Sequence, residues 1–243
     1  MTVSRRTVLA ALPLIAVAAR AEPDAKARLV AAYPQFLERA TADAILWRDG
    51  TTMAWDDGRS KTFDEKLAHA SLADQMSLIY PRAFPVAAPD DDPGRFRNLA
   101  FFRKMYGATA TDVRRNLVPV PWRIGDCRAA LTFTSVNGVA AAAAKIVAEL
   151  AALPAPLHQF VVPPSGSFAW RPIAGTKTLS AHAFGIAVDI NAAHADYWRW
   201  KNGWRNRIPA AIVEVFERHG FIWGGKWHHV DTMHFEYRPE LLG

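Results

Sequence analysis

Two short stretches hold the residues with the most chemistry. Ser180-Ala181-His182-Ala183-Phe184-Gly185-Ile186-Ala187-Val188-Asp189 carries an imidazole and a carboxylate. Further along, Asp231-Thr232-Met233-His234-Phe235-Glu236 adds a second imidazole flanked by two more carboxylates. Two histidines and one carboxylate suit zinc better than the hard, oxygen-loving cations. Three such ligands, an open position for water and a base nearby are what a hydrolytic zinc site needs.

The spacing constrains the backbone. His182 and Asp189 have an odd offset, so on one straight strand they would face opposite sides. To share a metal the chain must bend between them, and Gly185 permits the bend. His182 is therefore expected on a loop or a strand start, and Asp189 on the strand that follows. Asp231 and His234 also have an odd offset; His234 fits a strand and Asp231 the turn leading into it. This gives His182, Asp189 and His234 as ligands of one Zn2+, with Asp231 outside the metal shell as the base for the water that zinc activates. An isolated His or Asp is better read as a structural hydrogen-bonding group, but that reading fits the combined pattern poorly.

The neighbouring polar and aromatic residues are read as support. Glu236 shares the strand parity of His234 and is placed to orient a ligand by hydrogen bonding. His229, two residues before Asp231, lines the cleft or stabilises an oxyanion as imidazolium. His228 has the opposite parity and faces solvent. His194 and His219 are structural, the latter at a helix end that favours an imidazolium. Trp198, Trp200, Trp204, Trp223 and Trp227 are core or cleft wall before they are a glycan-stacking platform.

The pattern S-x-H-x-x-G-x-A-x-D followed by D-x-x-H-F-E resembles the zinc D-alanyl-D-alanine carboxypeptidase and L-alanyl-D-glutamate endopeptidase family, VanY-like metallopeptidases whose wider group includes lysostaphin-type peptidases and hedgehog domains. The resemblance covers Ser165 to Pro239 and extends loosely to Val120; residues 22–119 carry no motif. It implies His182, Asp189 and His234 on zinc and Asp231 as catalytic acid and base. It also implies Arg171, in Ala169-Trp170-Arg171-Pro172, as the clamp for a substrate carboxylate, and Ser180 as a hydroxyl that bonds substrate or orients the site. Many carboxypeptidases of this kind carry Glu where this chain has Asp231, whereas the endopeptidases carry Asp. No Ser-His-acid arrangement with an oxyanion motif is visible, so Ser180 is not read as a nucleophile.

The elements that must position these groups follow from periodicity and punctuation. A helix is expected over residues 24–40, kinked at Pro34, then a hairpin of 44–47 and 51–55 about Asp49-Gly50. Helices are expected at 63–79, 98–106 and 111–117, with a Pro- and Asp-rich irregular segment at 81–93. Its acidic run, Asp90-Asp91-Asp92, is read as a solvated loop because the ligand spacing of a calcium loop is missing. Pro119 and Pro121 mark a seam. Beyond it come a strand at 129–136, an Ala-rich helix at 138–153 capped by Asn137, a strand at 160–162, a loop at 165–178, a strand at 186–190, a helix at 209–219, and strands at 221–223 and 234–237. The fold class is α+β: a small antiparallel sheet with flanking helices, plus a mixed N-terminal region. The expected division is an export signal at 1–21, an N-terminal region at 22–119 and a peptidase domain at 120–243.

Bulk properties set the context. The chain has 243 residues, enough for one sizeable core. Arg5-Arg6 before the apolar run Ala10–Ala19, and Ala19-Arg20-Ala21 as a cleavage site, resemble a twin-arginine export signal. The mature protein is then expected outside the cytoplasm, periplasmic or extracellular, without a membrane anchor. Removing Arg5, Arg6 and Arg20 takes Lys+Arg from 29 to 26 against 23 Asp+Glu, so the net charge falls from +6 to +3. No basic block suggests nucleic acid as a partner. Cys127 is the only cysteine, so no internal disulfide can form, and it is read as a small buried apolar residue. The expected activity is hydrolysis of amide bonds in peptidoglycan stem peptides. The alternative is a catalytically inactive, zinc-stabilised wall-binding or scaffolding protein.

Overall fold

The computed structural model describes residues 24–84, 87–200 and 204–242; the expected export segment lies outside them. The first helix, α1 (Ala25–Ala32), is shorter than its periodicity suggests. Pro34 disfavours the helical conformation for Tyr33 before it, and the chain leaves the helix there. Leu37–Ala40 instead forms strand β1, antiparallel to β2 (Ala44–Trp47), which pairs with β3 (Thr52–Ala54). The Asp-Gly turn joins β2 and β3 as expected: Gly50 takes φ +81° and Asp49 Oδ1 accepts the Thr51 N–H at 3.0 Å.

The single helix expected over 63–79 is two, α2 (Phe63–His69) and α3 (Leu72–Gln75). Ser71 restarts the helix through a capping box: its hydroxyl oxygen accepts the Asp74 N–H at 3.0 Å, and the Asp74 carboxylate accepts the Ser71 N–H at 2.9 Å. Helix α4 (Leu99–Tyr106) is capped by the Asn98 side chain and stopped at Gly107; α5 (Ala110–Arg115) also starts from a capping box, Thr109 with Asp112.

Strands β4 (Leu117–Trp122) and β5 (Ala129–Thr134) form a two-stranded ladder. Pro119 and Pro121 lie inside β4, so the expected seam falls within a strand. Helix α6 (Val139–Ala152) follows, with Gly138 rather than Asn137 at its cap; Asn137 sits at φ +56° and its amide donates to the Tyr106 hydroxyl at 3.2 Å. Pro154 ends it before the short α7 (Ala155–His158). Residues 160–162 are turns, not a strand; the Val161 carbonyl accepts the Trp122 indole N–H at 3.0 Å, and Val162 O takes the Asn191 amide at 2.7 Å. Side-chain donors thus replace a ladder. The remaining elements are β6 (Ala187–Asp189), α8 (Ala210–Arg218), β7 (Phe221–Trp223) and β8 (His234–Tyr237).

The three small sheets are antiparallel and the helices segregate from them, which makes the architecture α+β. In the last sheet β8 is central, between β6 and β7. One apolar core runs through the molecule and draws Leu29, Tyr33, Phe101 and Phe102 together with Phe184, Val188, Phe216 and Phe235. The Phe102 and Phe184 rings lie 5.5 Å apart, joining α4 to the turn that carries His182. Phe216 of α8 stacks on Phe235 of β8 at 3.8 Å. Both sides of the expected boundary therefore share one core. Among the described residues no helix is long and apolar enough to cross a membrane.

Candidate active site and metal centre

Register brings the site together. Asp189 of β6 stands directly opposite His234 of β8, and two positions along the same face Ala187 stands opposite Glu236. Residues alternate faces along a strand, so His234 and Glu236 point to one side while Val188 and Phe235 point to the core. Ala187 is small, which leaves room for the Glu236 carboxylate across from it.

His182 arrives by a different route. Ser180 caps a 3-10 turn, Ala181–Phe184, and the turn ends at Gly185 in the left-handed conformation, φ +66°. A Cβ at Gly185 would lie 2.6 Å from Leu117 Cδ2 and 3.0 Å from the Thr134 nitrogen, so glycine is required there twice over. The turn reverses the chain enough to place His182 against Asp189 despite their odd offset. His182 Nε2 lies 3.1 Å from Asp189 Oδ1 and 3.2 Å from His234 Nδ1, and His234 Nδ1 lies 3.0 Å from Asp189 Oδ1.

The far nitrogen of each ring faces a pure acceptor. His182 Nδ1 donates to the Ser167 carbonyl, and His234 Nε2 donates to Glu236 Oε2 at 3.1 Å. With those protons assigned by their partners, His182 Nε2 and His234 Nδ1 are lone pairs. They converge on a carboxylate oxygen with no proton left between neutral rings. Three converging acceptors repel one another unless a cation sits among them, and the trio lies within metal-ligating reach. A proton can play that part: burial opposes charge on His234, but hydrogen bonds to Asp189 and Glu236 outweigh it and raise the imidazole to about 10. For Asp189, burial is likewise outweighed by the two imidazoles, and its pKa is held far below the usual carboxylate range.

Asp231 is different in kind. Its backbone is fixed by a bridge to Tyr197 and by donation from its N–H to the Gly224 carbonyl at 3.0 Å. A Cβ on Gly224 would lie 2.6 Å from the Asp231 carbonyl oxygen, so glycine lets the two segments close. The Asp231 side chain is half-buried, and its Oδ1 is buried with no hydrogen-bond donor among the described residues. Burial, with the nearby Asp189 charge and against the pull of His234, pushes it up to about 6.

Asp231, the three candidate ligands, Arg171 and Ser180 all line one cleft of about 290 Å³. Arg171 is exposed there, and its only side-chain bond among the described residues is a 3.5 Å contact with the Pro172 carbonyl. Ser180 is buried as the turn cap, with its N–H on the Arg171 carbonyl at 3.1 Å. His229 lines the cleft, held from behind at Nδ1 by Asp92 at 2.6 Å; His228 is exposed. Tyr197, Trp198, Trp200 and Trp227 form an aromatic wall; Trp223 is wholly buried in the core, and Trp204 is exposed. His219 ends α8 on Glu149 at 2.5 Å.

Several residues that shape the site carry no sequence signal. Ser167 contributes a backbone carbonyl, to which any residue type is equal. Asp92, expected in a solvated loop, is fully buried and ties His229 to Arg95, its carboxylate taking Arg95 Nη1 at 2.8 Å. Arg95 and Arg97 line the cleft from the N-terminal region. The one available signal is Asp92-Pro93-Gly94 followed by two arginines, a turn that invites pairing of its acid.

Residues 174–237 match the family model of D-alanyl-D-alanine carboxypeptidase. This is the family that the paired motifs resemble, and the match contains His182, Asp189, Asp231 and His234 but begins after Arg171. No curated protein and no solved structure matches the chain.

Proposed function

We propose that the protein is an exported zinc peptidase that hydrolyses an amide bond in peptidoglycan stem peptides, at the terminal D-Ala-D-Ala bond or the internal L-Ala-D-Glu bond. The observation that carries the reading is the coincidence, in one cleft, of three converging acceptors and a half-buried carboxylate whose Oδ1 has no donor among the described residues. The acceptor set, two imidazoles and one carboxylate, favours zinc over calcium or magnesium. When bound, zinc supplies Lewis-acid polarisation of the scissile carbonyl and acidifies a water.

The chain's own residues do the rest. His182, Asp189 and His234 would hold the ion, each fixed from behind or across the ladder. Asp231 Oδ1, free of donors, takes a proton from the attacking water and passes it to the leaving amine. A pKa near 6 keeps it ionised at neutral pH yet basic enough to accept. Arg171 has its guanidinium free to clamp the substrate carboxylate through two parallel hydrogen bonds. Ser180, beside it, orients the site or bonds the peptide. The aromatic wall lines one side of the cleft with apolar surface. Export is supported by the Arg5-Arg6 pair, the apolar run and the Ala19-Arg20-Ala21 site.

Digesting purified peptidoglycan with the zinc-loaded protein and weighing the products tests the reading. Loss of one alanine identifies a carboxypeptidase; release of a larger peptide identifies an endopeptidase. Asp231→Ala should keep zinc and fold while losing hydrolysis. Cleavage by that variant at the wild-type rate would overturn the mechanism, and a zinc-bound wild-type protein that cuts nothing would leave the wall-binding or scaffolding role.

A further inference from the structure

Glu236 lies directly behind His234 and is fully buried. An ionised carboxylate in such a place needs partners. It has two guanidiniums, one on each oxygen. Arg238 Nη1 reaches Oε1 at 3.0 Å, and Arg97 Nη2 is bonded to Oε2, the oxygen that also accepts from His234. The chain of charges continues: Arg238 Nε pairs with Glu240 Oε1 at 2.6 Å, and Glu240 Oε2 accepts the Tyr33 hydroxyl at 2.7 Å. Arg238 Nη1 also donates to the Gly94 carbonyl at 2.8 Å. Gly94, at φ +100°, admits no side chain, since a Cβ would lie 2.5 Å from Ile222 Cδ1 and 3.0 Å from Glu236 Oε1. Tyr33, Gly94 and Arg97 thus reach the back of the site from the N-terminal region, which no motif covers.

Arg97 is an expensive residue to keep there. It is 3% exposed, and its Nε and Nη1 have no acceptor among the described residues. Buried donors without acceptors destabilise a fold. It also borders the cleft, but the one acceptor its side chain holds among the described residues is Glu236. With Arg97 present, both Glu236 oxygens are pinned and the carboxylate cannot turn. Without it, only Arg238 remains, and the carboxylate can rotate toward that side. The His234 ring then loses the acceptor that sets its orientation and its tautomer.

We propose that Arg97 is a positioning residue for the metal site, acting through Glu236 on His234, so that the N-terminal region sets the affinity of the site for zinc. The proposal rests on the reading of His182, Asp189 and His234 as metal ligands. Partners that orient a ligating histidine in this way change metal affinity by about 10- to 100-fold when removed.

The test measures zinc dissociation constants of the full chain by competition with a chromogenic chelator, and records the visible spectrum of the cobalt(II)-substituted protein. Arg97→Met should bind zinc about 10- to 100-fold more weakly and shift the cobalt bands. Arg97→Lys, which keeps one donor for Oε2, should recover part of the loss. If Arg97→Met does not fold, Arg97→Lys carries the test alone, with weaker zinc binding in a natively folded protein as the expected result. Ile146→Ala, in the core of α6 and outside the charge chain, should lower the unfolding midpoint and leave zinc affinity as it was. Zinc binding by Arg97→Met, or by Arg97→Lys where it alone folds, at wild-type affinity overturns the proposal. So does an equal loss in Ile146→Ala, which would make the effect one of general stability. A wild-type protein that takes no zinc removes the metal reading itself, and the proposal with it.

Discussion

The molecule contains two three-stranded antiparallel sheets of nearly equal size that are held in opposite ways. In β1-β2-β3 every neighbour is consecutive in sequence, the turn is closed by Asp49, and the outer strand is largely solvated. In β6-β8-β7 the middle strand comes last, arrives after a helix, and is buried on both faces. Strands of three and four residues offer few ladder bonds. The second sheet is instead held by Phe216 stacked on Phe235 on one face and by buried ion pairs on the other. A locally closed sheet needs only its own sequence; the sheet that carries the candidate site draws on residues from Tyr33 to Glu240.

Four measurements would break or sharpen that contrast. The largest effect is expected in the site itself: His182→Ala should lose zinc, read by metal analysis, and hydrolysis with it. Second is pH. With Asp231 raised to about 6, its basic form is lost as pH falls through that value, so the rate should drop about tenfold per unit on the acid side. A bound cation stabilises the carboxylate and moves this limb lower, never higher; a limb well above 6 in the rate profile would exclude Asp231 as the base. Third, Phe235→Ala should cost about 3–5 kcal/mol by denaturant titration, the range for emptying a packed aromatic site. Last comes a pair of glycines with similar backbones. Gly50 at φ +81° has nothing within 4 Å of where a Cβ would sit, whereas a Cβ on Gly185 at φ +66° meets Leu117 and Thr134. Gly50→Ala should cost about 1–2 kcal/mol, the conformational penalty alone. Gly185→Ala should cost clearly more and weaken zinc binding as His182 moves. Equal costs would mean that the site sheet is as forgiving as the hairpin.

The same contrast explains what can be read from sequence. His182, Asp189, Asp231 and His234 lie in two local motifs, and the parity of their offsets already requires the bend that Gly185 makes. The hairpin about Asp49-Gly50 and the α8 helix are legible for the same reason: their signals are short-range. The helix expected across 63–79 divides because Ser71 with Asp74 competes locally for the backbone, and apolar spacing does not register that. Residues 160–162 have strand composition but satisfy their carbonyls with the side chains of Trp122 and Asn191, which are remote in sequence. Asp92 looks solvated within an acidic run, yet its partners His229 and Arg95 bury it. Arg97 cannot be found by spacing at all, because what it holds lies 139 residues away.

The Tyr33 hydroxyl and Glu240 are separated by 207 positions, and their hydrogen bond ties the first helix to the end of the chain. Closing so long a loop is entropically slow to reach and late to be rewarded. The countercharges behind His234 therefore assemble only when nearly all of the sequence has been made and folded. A chain cut short before Glu236 would present His182 and Asp189 without the carboxylate that orients His234. The support of the candidate site is in this sense a long-range property: it closes only when Tyr33 and Glu240, 207 positions apart, have met.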